Sequence, residues 1–269
     1  MKKICFWSVG DGEYAIMLQN LVHSFREVGM EEDFIAFSDR PIQGATQTII
    51  TPSFDKKFYL FKFSFLKWFI NQNYDYVVFL DSDNFFVRHT PNLLELMNDT
   101  PIHTFFECDL SYPAERKTWW ECPLEKYVSM MHDCGIRSEK VYNINGGFFI
   151  IKREAIQLVC ELAQDFWTYA AEQGFLLTDE PPLAYAAQML CGDIEKHLLK
   201  NHFDIWATDW TAQYKDRLPD GHEWIFKDYM RYNTFVINPA IVHALKSKKA
   251  LISEGSKYLK RSNGLMIKK

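Results

Sequence analysis

Two carboxylates, Asp81 and Asp83, stand one residue apart directly after the apolar run Tyr76-Val77-Val78-Phe79-Leu80. An unbroken apolar run of this length predicts a buried strand. Its end therefore delivers both acids, with the small Ser82 between them, to the carboxyl edge of a sheet, where α/β sheets bind ligands. Crowded carboxylate oxygens suit a hard divalent cation, Mg²⁺ or Mn²⁺, better than they suit each other. A cation held there bridges a diphosphate. The plainer alternative is a polar strand end that caps the next element.

The surrounding pattern supplies the scaffold. Residues 3–9 read as a short buried strand, broken by Gly10-Asp11-Gly12, and residues 14–28 carry apolar side chains at helical spacing. Residues 33–37 and 48–51 read as strands, residues 56–71 as an aromatic helix and residues 76–80 as the strand before the two acids. This alternation predicts an α/β fold with a mostly parallel, Rossmann-like sheet and helices on both faces. Residues 109–140, with Pro113, Trp119-Trp120, Cys122-Pro123 and Gly135, interrupt the alternation and read as an inserted, partly helical excursion. Strand character resumes at 143–152, followed by helices over 153–173 and 182–190 and short aromatic strands at 203–206, 223–226 and 234–237.

The apolar strand ending in Asp81-Ser82-Asp83 resembles that of the nucleotide-sugar glycosyltransferases of the GT-A fold, and three further stretches agree with it in order. Asn145-Gly146-Gly147 is similar to the strand beneath the donor sugar. Thr178-Asp179-Glu180 resembles the start of a helix facing the sugar hydroxyls. Pro239-Ala240-Ile241-Val242-His243 resembles the late strand whose His completes the metal site in glycogenin-like retaining enzymes. The resemblance spans about residues 3–249 and implies a single GT-A domain over 1–249, with 109–140 as an acceptor-side insertion and 250–269 as a basic tail. It implies a Mn²⁺ or Mg²⁺ ion on Asp81, Asp83 and His243, and a nucleoside-diphosphate sugar, UDP-sugar favoured, as donor. Asn145, Asp179 and Glu180 would read sugar hydroxyls over Gly146 and Gly147. Asp179 or Glu180 would be the base if the enzyme inverted, whereas glycogenin-like features favour retention. Ser82 belongs to the same donor site. Val9, Gly10 and Tyr14 of the first loop would contact the base. Glycogenin-like enzymes place Gly three and Lys six residues after the His; here these are Lys246 and Lys249. Lys249 is thus a candidate for the diphosphate. Lys62 is another, against the alternative of a Lys lying along the surface. Trp119 and Trp120 could stack on an acceptor sugar or pack the insertion down.

Composition excludes other classes. The chain of 269 residues carries a net charge of −5, which argues against a nucleic-acid binder. Residues 246–269 hold eight Lys and Arg against Glu254, a local +7, so the remainder carries −12. Apolar residues among these cations suit a peripheral contact with an anionic membrane, or a solvated tail. No export signal or spanning segment is expected, and six Cys without Cys-x-x-Cys or paired His spacing fit reduced thiols and a cytoplasmic setting, the alternative being a disulfide among Cys108, Cys122 and Cys134. Haloacid-dehalogenase-type phosphatases also present Asp-x-Asp after a strand, but they need a later Gly-Asp-x-x-x-Asp, and Gly192-Asp193 is followed by His197. A sugar nucleotidylyltransferase needs a basic first loop, and Gly10-Asp11-Gly12-Glu13 is acidic. A binding protein that keeps the fold without turnover is the non-enzymatic alternative.

Overall fold

The opening segment folds as its pattern dictates. β1 (Ile4–Gly10) is buried along almost its whole length, and α1 (Glu13–Glu27) buries Ala15, Leu18, Leu21, Val22 and Phe25 on one face. The computed structural model describes residues 2–52, 60–96, 100–110, 117–192, 205–208, 212–213, 224–228, 233–237 and 239–244. β2 (Asp33–Ser38) and β3 (Gln47–Ile50) follow, then α2 (Phe61–Leu66), which passes into a 3₁₀ turn at Lys67–Asn71. The expected helix over 56–71 is thus a short α-helix with a tighter end, and its first residues lie outside the described ones. β4 (Tyr76–Leu80), β5 (Asn84–Phe86), α3 (Leu93–Leu96) and β6 (Ile102–Asp109) lead to the excursion. Within it lie a hairpin of β7 (Thr118–Trp119) and β8 (Cys122–Pro123), and α4 (Leu124–Asp133). β9 (Tyr142–Lys152), α5 (Ile156–Glu172) and α6 (Glu180–Cys191) come next. The last elements are β10 (Trp206–Thr208), β11 (Ala212–Gln213), β12 (Trp224–Asp228), β13 (Asn233–Ile237) and β14 (Ile241–His243).

The fold is α/β, with a six-stranded sheet in the order β3-β2-β1-β4-β9-β6 flanked by helices. The expected parallel pairing holds over β1, β2 and β3, and β6 at the sheet's edge departs from it. β1, β2 and β3 are parallel, but β6 runs antiparallel to β9, so the sheet is mixed. The reason is the connection between them: the excursion turns the chain back on itself, and a chain reversed beside its predecessor pairs antiparallel. β5 and β6 had no counterpart in the strand pattern read from sequence.

Contacts divide the chain into two compact units, each assembled from separated segments. One comprises Met1–Ile4, Phe54–Phe79 and Met97–Lys200. Its core beneath the hairpin gathers Trp119, Tyr127, Met130, Phe166 and Tyr185, with Phe166 and Tyr185 stacked at 4.7 Å. The other comprises Cys5–Ser53, Leu80–Leu96 and Asn201–Lys269. Here Phe6, Phe25 and Phe86 meet at centroid distances of 5.0 to 6.0 Å, and each such ring pair adds about 1 kcal/mol beyond simple burial. This unit also contains the small sheets β10-β14-β5 and β11-β12-β13, the β-containing C-terminal part expected from sequence.

Candidate metal centre and a separate polar cluster

β5 is only three residues long, yet its pairing decides where a cation can sit. β14 lies antiparallel to β5 with His243 opposite Asn84, the residue that follows Asp83. The Ala244 N–H donates to the Asp83 carbonyl at 2.9 Å, tying the two segments together beyond the ladder. The result sets His243 Nε2 3.0 Å from Asp83 Oδ1 and 4.0 Å from Asp81 Oδ2. One ligand atom from each of the three residues falls within 4.8 Å of the others. Asp83 and His243 are buried, and Asp81 is half-buried, open enough to leave part of the site to a ligand.

The donor set fits a divalent metal. His243 Nε2 and Asp83 Oδ1 share a hydrogen bond at 3.0 Å, a separation also compatible with two ligands about 2.1 Å from one octahedral cation at a right angle. Neighbouring groups hold the residues in place. The Trp206 indole N–H donates to Asn84 Oδ1 at 2.8 Å, and Asn84 Nδ2 donates to the Asp81 carbonyl at 2.9 Å. The Trp206 ring stands 5.6 Å from the His243 ring. Trp206 and Asn84 thus position the three candidate ligands without belonging to that set. Only the Trp206 to Asn84 contact across more than a hundred residues could have revealed them, and sequence order hides it.

In the other unit a second polar cluster forms around a break in β9. Pairing with β6 steps from Thr104–Phe149 to Phe106–Ile144, so β9 spends five residues where β6 spends two. Such a bulge re-aims side chains and frees backbone groups. It falls on Asn145-Gly146-Gly147, which explains the double glycine. A Cβ on Gly146 would lie 2.8 Å from Glu180 Cγ and 2.9 Å from Asp179 Oδ2. Bare backbone is what lets the start of α6 approach. The Gly146 N–H donates to Glu180 Oε1 at 3.0 Å, and the Gly147 N–H to Asn145 Oδ1 at 2.8 Å.

Lys62 belongs to this cluster. Instead of lying along the surface it is buried, with its ammonium 2.5 Å from Asp179 Oδ2, 3.3 Å from the Gly146 carbonyl and 4.8 Å from the centre of the Phe79 ring. Burial without a partner would cost an ammonium several kcal/mol, which the Asp179 carboxylate offsets.

The two tryptophans of the hairpin part company. Trp119 is 7% exposed and packs into the core, so the packing alternative holds for its ring. Trp120 is 43% exposed, and its Nε1–H donates to Glu180 Oε2 at 3.1 Å.

The first loop is also explained by packing. A Cβ on Gly10 would lie 2.5 Å from the Tyr14 carbonyl oxygen, so the glycine lets α1 start close against β1. Val9 and Ser82 are buried, and Tyr14 is 36% exposed. Asp39 Oδ2 accepts the Gly12 N–H at 3.1 Å. The adjacent Arg40 guanidinium, helped by that N–H, holds the Asp39 carboxyl down at about 2. Asp39 was not foreseen. Among the described cysteines all five are free thiols, and burial pushes Cys160 up to about 12. Lys249 and the basic tail lie outside the described residues. No helix among the described residues is long and apolar enough to cross a membrane. No protein-family model and no curated protein matches the chain.

Proposed function

We propose that this chain is a metal-dependent glycosyltransferase of the GT-A type that moves a sugar, with retention, from a nucleoside-diphosphate sugar to a carbohydrate or lipid-linked acceptor. The observation that carries this reading is the meeting of His243 with Asp83 and Asp81, at 3.0 and 4.0 Å, on a strand pairing that spans 160 residues. Asp81, Asp83 and His243 would hold Mn²⁺ or Mg²⁺, which supplies positive charge where it develops on the departing diphosphate. The roles of the chain's own groups follow from their chemistry. Asn145 and Glu180 present hydrogen-bonding oxygens and an amide to sugar hydroxyls, a mode of recognition that rejects analogues lacking the hydroxyl. Lys62 holds Asp179 in place through its ammonium. The half-exposed Tyr14 offers a ring to a UDP base, beside Val9 and Gly10, while Lys249 remains a candidate for the phosphates.

The test is release of nucleoside diphosphate from a panel of UDP-sugars in the presence of Mn²⁺, repeated with chelator. Metal-dependent release supports the reading; release that persists in chelator removes the metal from it. The basic residues after 246 suit a peripheral contact with anionic lipid in an otherwise cytoplasmic enzyme. Sedimentation of the full chain with phosphatidylserine vesicles at moderate salt checks that part, and absence of binding overturns it.

A further inference from the structure

The β7–β8 hairpin is closed by two residues, Trp120 and Glu121, because Trp119 pairs with Cys122. Both tip residues have positive φ, 46° and 62°. A two-residue hairpin of this kind favours Asn-Gly, since a side chain is disfavoured at positive φ. The turn nevertheless carries a Trp. Strain of this sort persists where the surroundings over-determine it, and it clusters at ligand sites. Here the surroundings are clear. Trp119 and Cys122 anchor the hairpin base in the core, and the Trp119 ring braces Trp120 at 6.2 Å and 79°. The Trp120 indole N–H is tied to Glu180 Oε2 at 3.1 Å, and Asn143 Nδ2 lies 3.5 Å from the same oxygen.

A large aromatic ring is therefore held in the open, braced on one neighbour, with a carboxylate beside its polar edge. The combination selects among ligands. A pyranose has a face of C–H groups that packs on an indole and a rim of hydroxyls that donate to a carboxylate. A phosphate would be repelled by Glu180, and a purely apolar ligand would leave Glu180 desolvated.

We propose that the Trp120 tip is the acceptor subsite, taking a pyranose ring against the indole with its hydroxyls directed to Glu180. The word acceptor rests on the transfer reaction proposed above; the stacking of a pyranose does not. Two arms separate them. In the first, saturation-transfer NMR measures binding of methyl β-D-galactopyranoside and methyl β-D-glucopyranoside to the full chain in chelator. The wild type binds at least one of them, Trp120→Ala weakens it about tenfold, and Trp120→Phe, which keeps a ring without the N–H, stays within about threefold. In the second, the same pyranosides serve as acceptors with UDP-galactose or UDP-glucose and Mn²⁺. Trp120→Ala raises the pyranoside KM about tenfold, and the ratio of transfer to donor hydrolysis falls with it at low acceptor.

Unaltered pyranoside binding by Trp120→Ala, or no binding by the wild type, overturns the proposal. So does a parallel fall of transfer and hydrolysis at constant ratio, which would make Trp120 a donor or folding residue. Binding lost in Trp120→Ala with no turnover of any donor upholds the stacking site and instead removes the transfer reading. Thermal melts of both variants, read by circular dichroism, confirm that the chain compared is folded.

Discussion

The candidate metal centre and the Lys62 cluster use the same type of acidic side chain for opposite electrostatic ends. Asp83 meets the imidazole of His243, a group whose charge depends on pH, whereas Asp179 meets the ammonium of Lys62. The first arrangement gathers carboxylate oxygens and an imidazole nitrogen, a donor set of the kind that takes a divalent cation. The second already carries its cation and has no such need. What it offers a ligand is the remaining hydrogen-bonding capacity of Glu180 and Asn145, suited to neutral hydroxyls. Residue type alone does not separate these two clusters; the identity of the nearest cationic group does.

Four substitutions probe this contrast, in falling order of expected effect. Asp83→Asn keeps the volume and removes a charge from the metal centre. Mn²⁺ affinity measured by calorimetry should fall about 1,000-fold, equivalent to about 4 kcal/mol, with an unaltered circular dichroism spectrum. Unchanged affinity would mean that Asp83 only orients His243. Lys62→Met leaves the Asp179 carboxylate, 8% exposed, without its ammonium. Loss of one partner of a buried pair costs about 3 kcal/mol, read as a lower denaturation midpoint. Adding Asp179→Asn to that variant should recover much of the loss, because the stranded charge is then gone. A Lys62→Met protein as stable as the wild type would return Lys62 to the surface.

Gly146→Ala tests the close approach that builds the second cluster. The new methyl meets Asp179 Oδ2 and Glu180 Cγ inside 3.0 Å, and overpacking of this kind costs about 2 kcal/mol. The same change should leave Mn²⁺ affinity within about twofold, since none of the metal ligands is touched; a larger loss would show that the two sites are energetically coupled. The smallest effect belongs to Asp39, a half-buried carboxylate. Its pKa is lowered by the Arg40 guanidinium and the Gly12 N–H to about 2, from 3.8. A depressed carboxylate contributes stability above its unfolded pKa and loses it on acidification. The wild type should therefore exceed Asp39→Asn slightly above pH about 4, and the difference should vanish as the pH falls towards about 2. A gap that widens in acid would reverse the sign and discard the ion pair.

Much of this molecule was legible in one dimension. The runs at 4–10, 33–38, 76–80 and 142–152 are strands because apolar and β-branched residues bury both faces, and the 3.6-residue period of α1 and α5 marks their buried sides. Asp81-Ser82-Asp83 could be found by its position after such a run, a local signal. Other features rest on pairing between distant segments, which local pattern does not encode. The antiparallel course of β6 depends on how the excursion returns, and β5 is too short to announce itself. His243 becomes a partner of Asp83 only through the β14–β5 register, and the bulge in β9 appears only against β6. The fate of each tryptophan was decided the same way. Composition makes Trp119 and Trp120 equivalent, but strand pairing buries the first beneath the hairpin, and the left-handed turn turns the second outward beside Glu180. Sequence sets which side chains can do chemistry, because type and local period are written in it; tertiary structure chooses among them, because charge neutralisation, exposure and reach depend on neighbours supplied from far along the chain.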